Sequence, residues 1–163
     1  MPDRHTRRAW LRQAGRAGAL LAGLGGVVWA SGLPFVFPSL GPTAYLFATD
    51  PDGPESAPRR VVGGHVLGVV AGLVAYHLVA GDVTLTAATG SGTLASLQLA
   101  VSGVVAVGLT TVGMLATDTG HAPACATTLI VSLGILSSPL EGAIIVLAVV
   151  VLLVEHELLL RFP

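Results

Sequence analysis

Asp118 and His121 stand three residues apart in TDTGHAPACATTL (117–129), inside a chain that is otherwise strongly apolar. At that spacing the two side chains can meet on one helix face. Histidine changes charge near neutral pH, so His121 can help an anion or a proton pass. Ionisable residues within membrane segments are costly and are therefore functional candidates. The blander reading has Asp118 capping a broken helix and His121 bonding a freed carbonyl. An Asp–His pair supplies two metal ligands where three or four are the rule. No metal or other cofactor is expected.

Pro123, Thr127 and Thr128 complete this stretch, and SLGPT (Ser39–Thr43), just after Pro38, forms a second one. Each opens a short apolar segment. A helix that starts inside a membrane presents N–H groups without partners, and these, with the positive end of the helix dipole, favour an anion. The expected site therefore has two halves. One comprises His121, Pro123, Thr127 and Thr128 with Asp118 beside them, and the other Ser39, Gly41 and Thr43. Arg59 or His65 would attract the anion at the mouth. His65 and His77 lie about 18 Å apart along one helix and cannot share a site. His77 reads as interfacial and His156, between Glu155 and Glu157, as a solvated helix end. No paired-carboxylate or Ser/His/Asp arrangement is present, and the chain is not expected to be an enzyme.

These residues need elements to hold them. Of 163 residues, 53% are hydrophobic and 10% charged, with a mean hydropathy of +0.81. Soluble domains carry about 25% charged residues, so too little charge is available here to cover a soluble surface. Val61–Ala80 and Leu94–Ala116 contain no Asp, Glu, Lys or Arg, and roughly 20 apolar residues span a bilayer core. The chain reads as an all-α polytopic membrane protein. A net charge of −1 argues against a nucleic-acid partner, and the lone Cys125 excludes an intramolecular disulfide.

Six apolar segments follow one another: Ala17–Phe37, Ser39–Ala48, Val61–Ala80, Leu94–Ala116, Ala124–Leu136 and Pro139–Leu160. Ser138, Pro139 and Glu141 make a capping box at the start of the last. The second and fifth are too short to cross as helices, since ten residues rise only about 15 Å. The expectation is about four full transmembrane helices plus two short broken or re-entrant ones. The order long–short–long occurs twice, and a shift of 84 lays Thr43 over Thr127. This points to two repeats, about 17–80 and 94–160, within a transmembrane domain of 17–160. An Arg-rich cytoplasmic stretch, 1–16, precedes it, and 161–163 ends the chain. TRRAWLR (Thr6–Arg12) resembles a twin-arginine export signal, but the long apolar run after it favours a retained first helix.

If every segment crosses, the N-terminal arginines, Arg59–Arg60 and Arg161 share one side, which satisfies the positive-inside rule. Re-entrant short helices would put Arg59–Arg60 on the opposite side from the N-terminus. Small residues recur at intervals of four: Gly15, Ala19, Gly23; Gly18, Ala22, Gly26; Gly64, Gly68, Gly72. Such faces let helices approach closely and leave room for a homo-oligomer.

FPSLGPTAYLF (37–47), APRRVVGGH (57–65) and DTGHAPACATT (118–128) together resemble the HPP family of integral membrane proteins. That family's pattern runs close to PLGASA, PRxxxGGH and HPPAGAT, in the same order, and the resemblance covers about residues 15–160. It implies four membrane helices and transport, with nitrite the cargo linked to chloroplast and cyanobacterial relatives. The pattern falls on Pro38, Gly41, Thr43, Pro58, Arg59, Gly63, Gly64, His65, His121, Pro123, Ala124 and Thr127. Ala122 stands where the first Pro of His-Pro-Pro would be, which softens the break, and Cys125 replaces a Gly. The resulting expectation is a multi-pass cell-membrane transporter or channel for a small inorganic anion, possessing a cytoplasmic N-terminus and the lipid bilayer as its solvent. The alternative is a non-transporting scaffold or subunit assembled through the small-residue faces.

Overall fold

The computed structural model describes residues 4–88 and 90–161. Six α-helices occur among them: α1 (Arg4–Ser31), α2 (Leu40–Thr49), α3 (Pro58–Ala75), α4 (Leu94–Thr117), α5 (Ala124–Ser132) and α6 (Pro139–Arg161). A 3₁₀ turn, Pro54–Ser56, precedes α3, and a π-helical turn, Tyr76–Ala80, extends it.

Local chemistry sets most of these boundaries. Pro58 opens α3, a position where its missing N–H costs nothing. The Thr93 side chain caps α4 by accepting from the Ser96 amide at 3.1 Å. At α6 the Ser138 amide donates to Glu141 Oε2 at 2.9 Å, and the Glu141 amide donates to Ser138 Oγ at 3.2 Å. This is the reciprocal capping box read from the sequence. Ser138→Ala should lower the stability of the folded protein by about 1 kcal/mol, measurable as a modest fall in Tm in detergent.

Two boundaries differ from expectation. The first helix stops at Ser31, where Gly32 turns left-handed at φ 69°, so LPFVF (33–37) is not helical. At its other end the helix runs back through the arginines to Arg4. The fifth segment ends at Ser132 rather than Leu136, because Gly134 adopts φ 71°. A Cβ there would lie 2.7 Å from the Tyr76 ring.

Among the described residues, three helices are long and apolar enough to cross a membrane: Pro58–Ala80, Leu94–Thr117 and Pro139–Arg161. The first helix is not among them, since its N-terminal half carries Arg4, Arg7, Arg8, Arg12 and Arg16. Large apolar side chains line the outside of these long helices, among them Val104, Val112 and Leu115 of α4 and Leu140 and Val154 of α6. Polar side chains point inward instead: Ser102, Thr110, Thr127 and Thr128 are all fully buried. Apolar outside and polar inside is the pattern expected with lipid as solvent.

The core joins Leu20 and Leu24 of α1, Leu40 and Phe47 of α2, Val69 of α3, Val131 of α5 and Ile145 and Leu152 of α6. Residues 9–19 of α1 share a groove with Ala48, Thr49 and Pro51 after α2 and with Leu159 and Leu160 of α6. The start of α3 joins the same end, because Ser56 Oγ donates to the Asp50 carbonyl at 2.7 Å. Arg59 and Arg60 therefore lie at the end that holds the N-terminal arginines. At the other end the Leu85 amide donates to the Leu133 carbonyl at 2.9 Å, tying the α3–α4 connector to the end of α5. Thus α5 starts beside the start of α3 and finishes beside its π turn. His156 is not a solvated end: it is 2% exposed, and its ring stacks on Phe47 at 4.0 Å.

Candidate functional site

His65 lies two turns into α3 and is fully buried. The flanking glycines explain how other groups reach it. A Cβ on Gly64 would sit 3.0 Å from His121 Cβ, and one on Gly68 would sit 2.8 Å from the Ala124 carbonyl oxygen. Glycine at these two places allows the 121–124 turn and the first turn of α5 to press against α3. His121 is brought to within 5.1 Å of His65, centroid to centroid, with the rings tilted by 56°.

Thr43 of α2 bridges the two rings. Its Oγ1 lies 3.1 Å from His121 Nε2 and 3.3 Å from His65 Nε2. On the far side of His65, Thr127 Oγ1 of α5 lies 2.7 Å from Nδ1. His121 Nδ1 meets the Glu55 carbonyl at 2.8 Å. These contacts form one continuous line: Thr127, His65, Thr43, His121, Glu55.

The last member fixes the direction of its own bond and orders those of the neutral line behind it. A carbonyl oxygen can only accept, so His121 Nδ1–H donates to Glu55. A neutral His121 then accepts at Nε2, and the donor is the single hydroxyl proton of Thr43. The Ser39 carbonyl, 3.2 Å away, competes for that proton. Thr43 Oγ1 must accept from His65, which places a proton on His65 Nε2 and a lone pair on Nδ1. Thr127 O–H donates to that lone pair.

The expected site residues do not all come together. Thr43, His65, His121 and Thr127 come together. Ser39 lies one turn before Thr43, fully buried, with a hydroxyl that has no partner. Pro123 is the N-cap of α5, and Gly41 faces open space rather than a close neighbour. Thr128 turns instead toward α4, where it meets Thr110 Oγ1 at 2.8 Å and donates to the Ala124 carbonyl at 3.1 Å.

Asp118 and His121 do not meet. Asp118 is the left-handed C-cap of α4 at φ 52°, which turns its carboxylate outward to Arg60 Nη2 at 2.6 Å. Arg59 is also outside the cluster, since its Nη2 donates to the Thr117 carbonyl at 2.7 Å. Nor is His65 at the mouth. The helix carries it inward from Arg59 by about 9 Å.

Glu55 was not among the residues singled out by type and spacing. Its carboxylate accepts from the Ala122 amide at 3.2 Å, so an anionic group already stands at the start of α5. The amides of Ala124, Cys125 and Ala126 are taken by the carbonyls of His121, Ala122 and Pro123. The first amides of α5 are therefore occupied, which the sequence reading did not foresee. The cue was present in the sequence as a lone Glu among the prolines of DGPESAP, but nothing local links it to a residue 67 positions away.

The cluster joins all three stretches that carried the resemblance noted above. The sequence model of the family described as "HPP, transmembrane region" matches residues 2–160. The chain belongs to the HPP transmembrane-region family. No curated protein and no solved structure matches it. Within this HPP chain, the residues carried over from the family pattern include all four that build the buried line: Thr43, His65, His121 and Thr127.

Proposed function

We propose that this HPP protein moves a small inorganic anion, with nitrite as the candidate, across the cell membrane along a path between α2 and α5. The observation that carries the reading is the convergence of two short, broken helices on one imidazole. Thr43 and Thr127 bond opposite nitrogens of His65, and the unpartnered Ser39 hydroxyl stands fully buried one turn away. A buried polar group without a partner costs about 1–3 kcal/mol, so a site that retains one is suited to a ligand that completes it. Glu55 at the start of α5 acts as the resident anion, and an incoming anion displaces it.

The topology goes with this reading. The first helix serves as the fourth long crossing. Trp10 and Trp29 are both exposed and stand about 28 Å apart along it, close to the thickness of a hydrocarbon core with aromatic residues at both faces. Arg12 and Arg16 snorkel back toward the nearer face. The shared end of the N-terminal arginines and Arg59–Arg60 is cytoplasmic by the positive-inside rule. The halves 17–80 and 94–160 act as inverted repeats, with Thr43 and Thr127 as counterparts.

The test is nitrite entry into proteoliposomes. Wild-type protein should exceed empty liposomes, and His121→Ala should lower the rate by about tenfold or more, as loss of 1.5–3 kcal/mol from a hydrogen bond to a charged group implies. Flux at the level of empty liposomes for both nitrite and nitrate would remove this function. A scaffold role is favoured by a different feature: Gly18, Ala22 and Gly26 form an exposed small-residue face on α1, with nothing near the two glycines. That face suits a helix of a second copy, making a homo-oligomer. Protein that binds no anion but runs as a stable oligomer would support this second reading.

A further inference from the structure

We propose that Thr43 joins His65 and His121 into a proton relay, so that the ion moving with the anion is H⁺. This deepens the transport reading by naming the coupled ion, but it rests on hydrogen-bond geometry that stands without any anion.

The polarity of the line makes the step explicit. When the Thr43 proton turns from the Ser39 carbonyl to His121, every bond of the neutral line points one way: Thr127 O–H to His65 Nδ1, His65 Nε2–H to Thr43, Thr43 O–H to His121 Nε2, and His121 Nδ1–H to the Glu55 carbonyl. Thr127 passes its hydroxyl proton to His65 Nδ1 as it takes another from hydronium, and His65 becomes an imidazolium. The His65 Nε2–H bond then breaks as a new Thr43 O–H bond forms, while the old Thr43 O–H bond breaks as His121 Nε2–H forms. Thr43 ends as it began, a neutral hydroxyl, and the positive charge has moved from His65 to His121. His121 then gives its Nδ1 proton to water at the Glu55 end, since the Glu55 carbonyl accepts a hydrogen bond but not the proton itself. The transfers themselves move only protons, across gaps of 3.3 and 3.1 Å, and rotation of the hydroxyls and imidazoles afterwards restores the starting bonds.

The surroundings suit a mobile charge at one end only. Glu55 brings a carbonyl and a carboxylate to the His121 side. From α3 the nearest charges are Arg59, held on the Thr117 carbonyl, and Arg60, paired with Asp118 at the end of α4. From α2 the contribution is the Thr43 hydroxyl and the Ser39 carbonyl, and from α5 it is Thr127. The titratable groups of α6 lie elsewhere: His156 stacks on Phe47, and Glu155 packs against Gly23 of α1. The line thus runs from an uncharged buried end to an acidic outer end.

The full-length chain, reconstituted in phosphatidylglycerol-containing liposomes with a trapped pH-sensitive dye, tests this. Proton entry is read under a potassium–valinomycin potential, first without nitrite and then with it. Thr43→Val should lower proton entry by about 100-fold, the contribution of one well-placed proton-transferring group. Thr43→Ser keeps the hydroxyl and should keep most of the rate. Should Thr43→Val not fold, ¹⁵N NMR of labelled histidines in the wild-type protein decides independently. At neutral pH, His121 should carry its proton on Nδ1 and His65 on Nε2. Wild-type proton entry no greater than that of empty liposomes, unchanged entry in folded Thr43→Val, or the opposite tautomers each overturn the relay. Proton entry that persists while nitrite does not move supports the relay through Thr43 and overturns both the anion reading and the coupling of H⁺ to it.

Discussion

Gly68→Leu is expected to leave little folded protein. A Cβ at Gly68 would lie 2.8 Å from the Ala124 carbonyl oxygen and 2.9 Å from Thr128 Oγ1. The first of these is backbone in the opening turn of α5 and cannot swing aside. The second is held twice, by Thr110 of α4 and by the Ala124 carbonyl. Leucine adds three more carbons beyond that Cβ, so α5 must move off α3. Overpacking a tight contact costs about 1–3 kcal/mol and sometimes more, a large share of a typical stability of about 5–15 kcal/mol. The displacement also withdraws Thr127 from His65. The measurement is the yield of monodisperse protein and its Tm in detergent. Gly108→Leu is the comparison, because a Cβ there meets nothing within 4 Å and the helix gains a better former. Equal Tm values for Gly68→Leu and the wild type would show that the α3–α5 contact is not tight.

The second large effect is on function. His65→Leu keeps the volume and removes both ring nitrogens, so Thr127 loses its 2.7 Å partner and Thr43 loses one of its two histidines. The Thr127 hydroxyl, left unpaired, costs about 1–3 kcal/mol, while Thr43 keeps His121 and the Ser39 carbonyl. Nitrite entry into proteoliposomes should fall by about ten- to a hundredfold, since each 1.4 kcal/mol is a factor of ten. His77→Ala is the contrasting variant. His77 is exposed in the π turn and touches the Tyr76 ring edge-on at 5.2 Å, far from the cluster. Its flux should match the wild type. If His65→Leu and His77→Ala transport equally, His65 has no part in the path.

Much of the fold was legible because its causes are local. Unbroken apolar runs set α4 and α6, Pro139 sets a helix start, and the Ser138–Glu141 box follows from two side chains three residues apart; α3 begins at Pro58, three residues before the apolar run that marked it. The first helix was misjudged at both ends for a reason that composition hides. Hydropathy continues through LPFVF, but one left-handed Gly32 stops the helix, and Arg-rich residues extend it backward because arginine is a good helix former. His156 looked solvated beside two glutamates, yet helix periodicity turns it inward onto Phe47.

The candidate site divides in the same way. Residue type and spacing alone marked Thr43, His65, His121 and Thr127, since polar groups in an apolar chain are conspicuous. The same signal also marked Asp118, Arg59 and Thr128, which belong to an outer ion pair, a carbonyl contact and the α4–α5 seam. Spacing cannot separate these sets, because a single left-handed residue at 118 reverses which way a carboxylate faces.

By itself, then, the sequence determined a membrane-embedded helical chain with two broken short helices, because length, hydropathy and capping act over a few residues. Only the tertiary structure decided that Thr43 sits between two histidines, that Glu55 closes the line, and that Asp118 stays outside it. Those pairings join residues 22, 78 and 66 positions apart, and only the packing of α2 and α5 against the glycines of α3 brings them within hydrogen-bond reach.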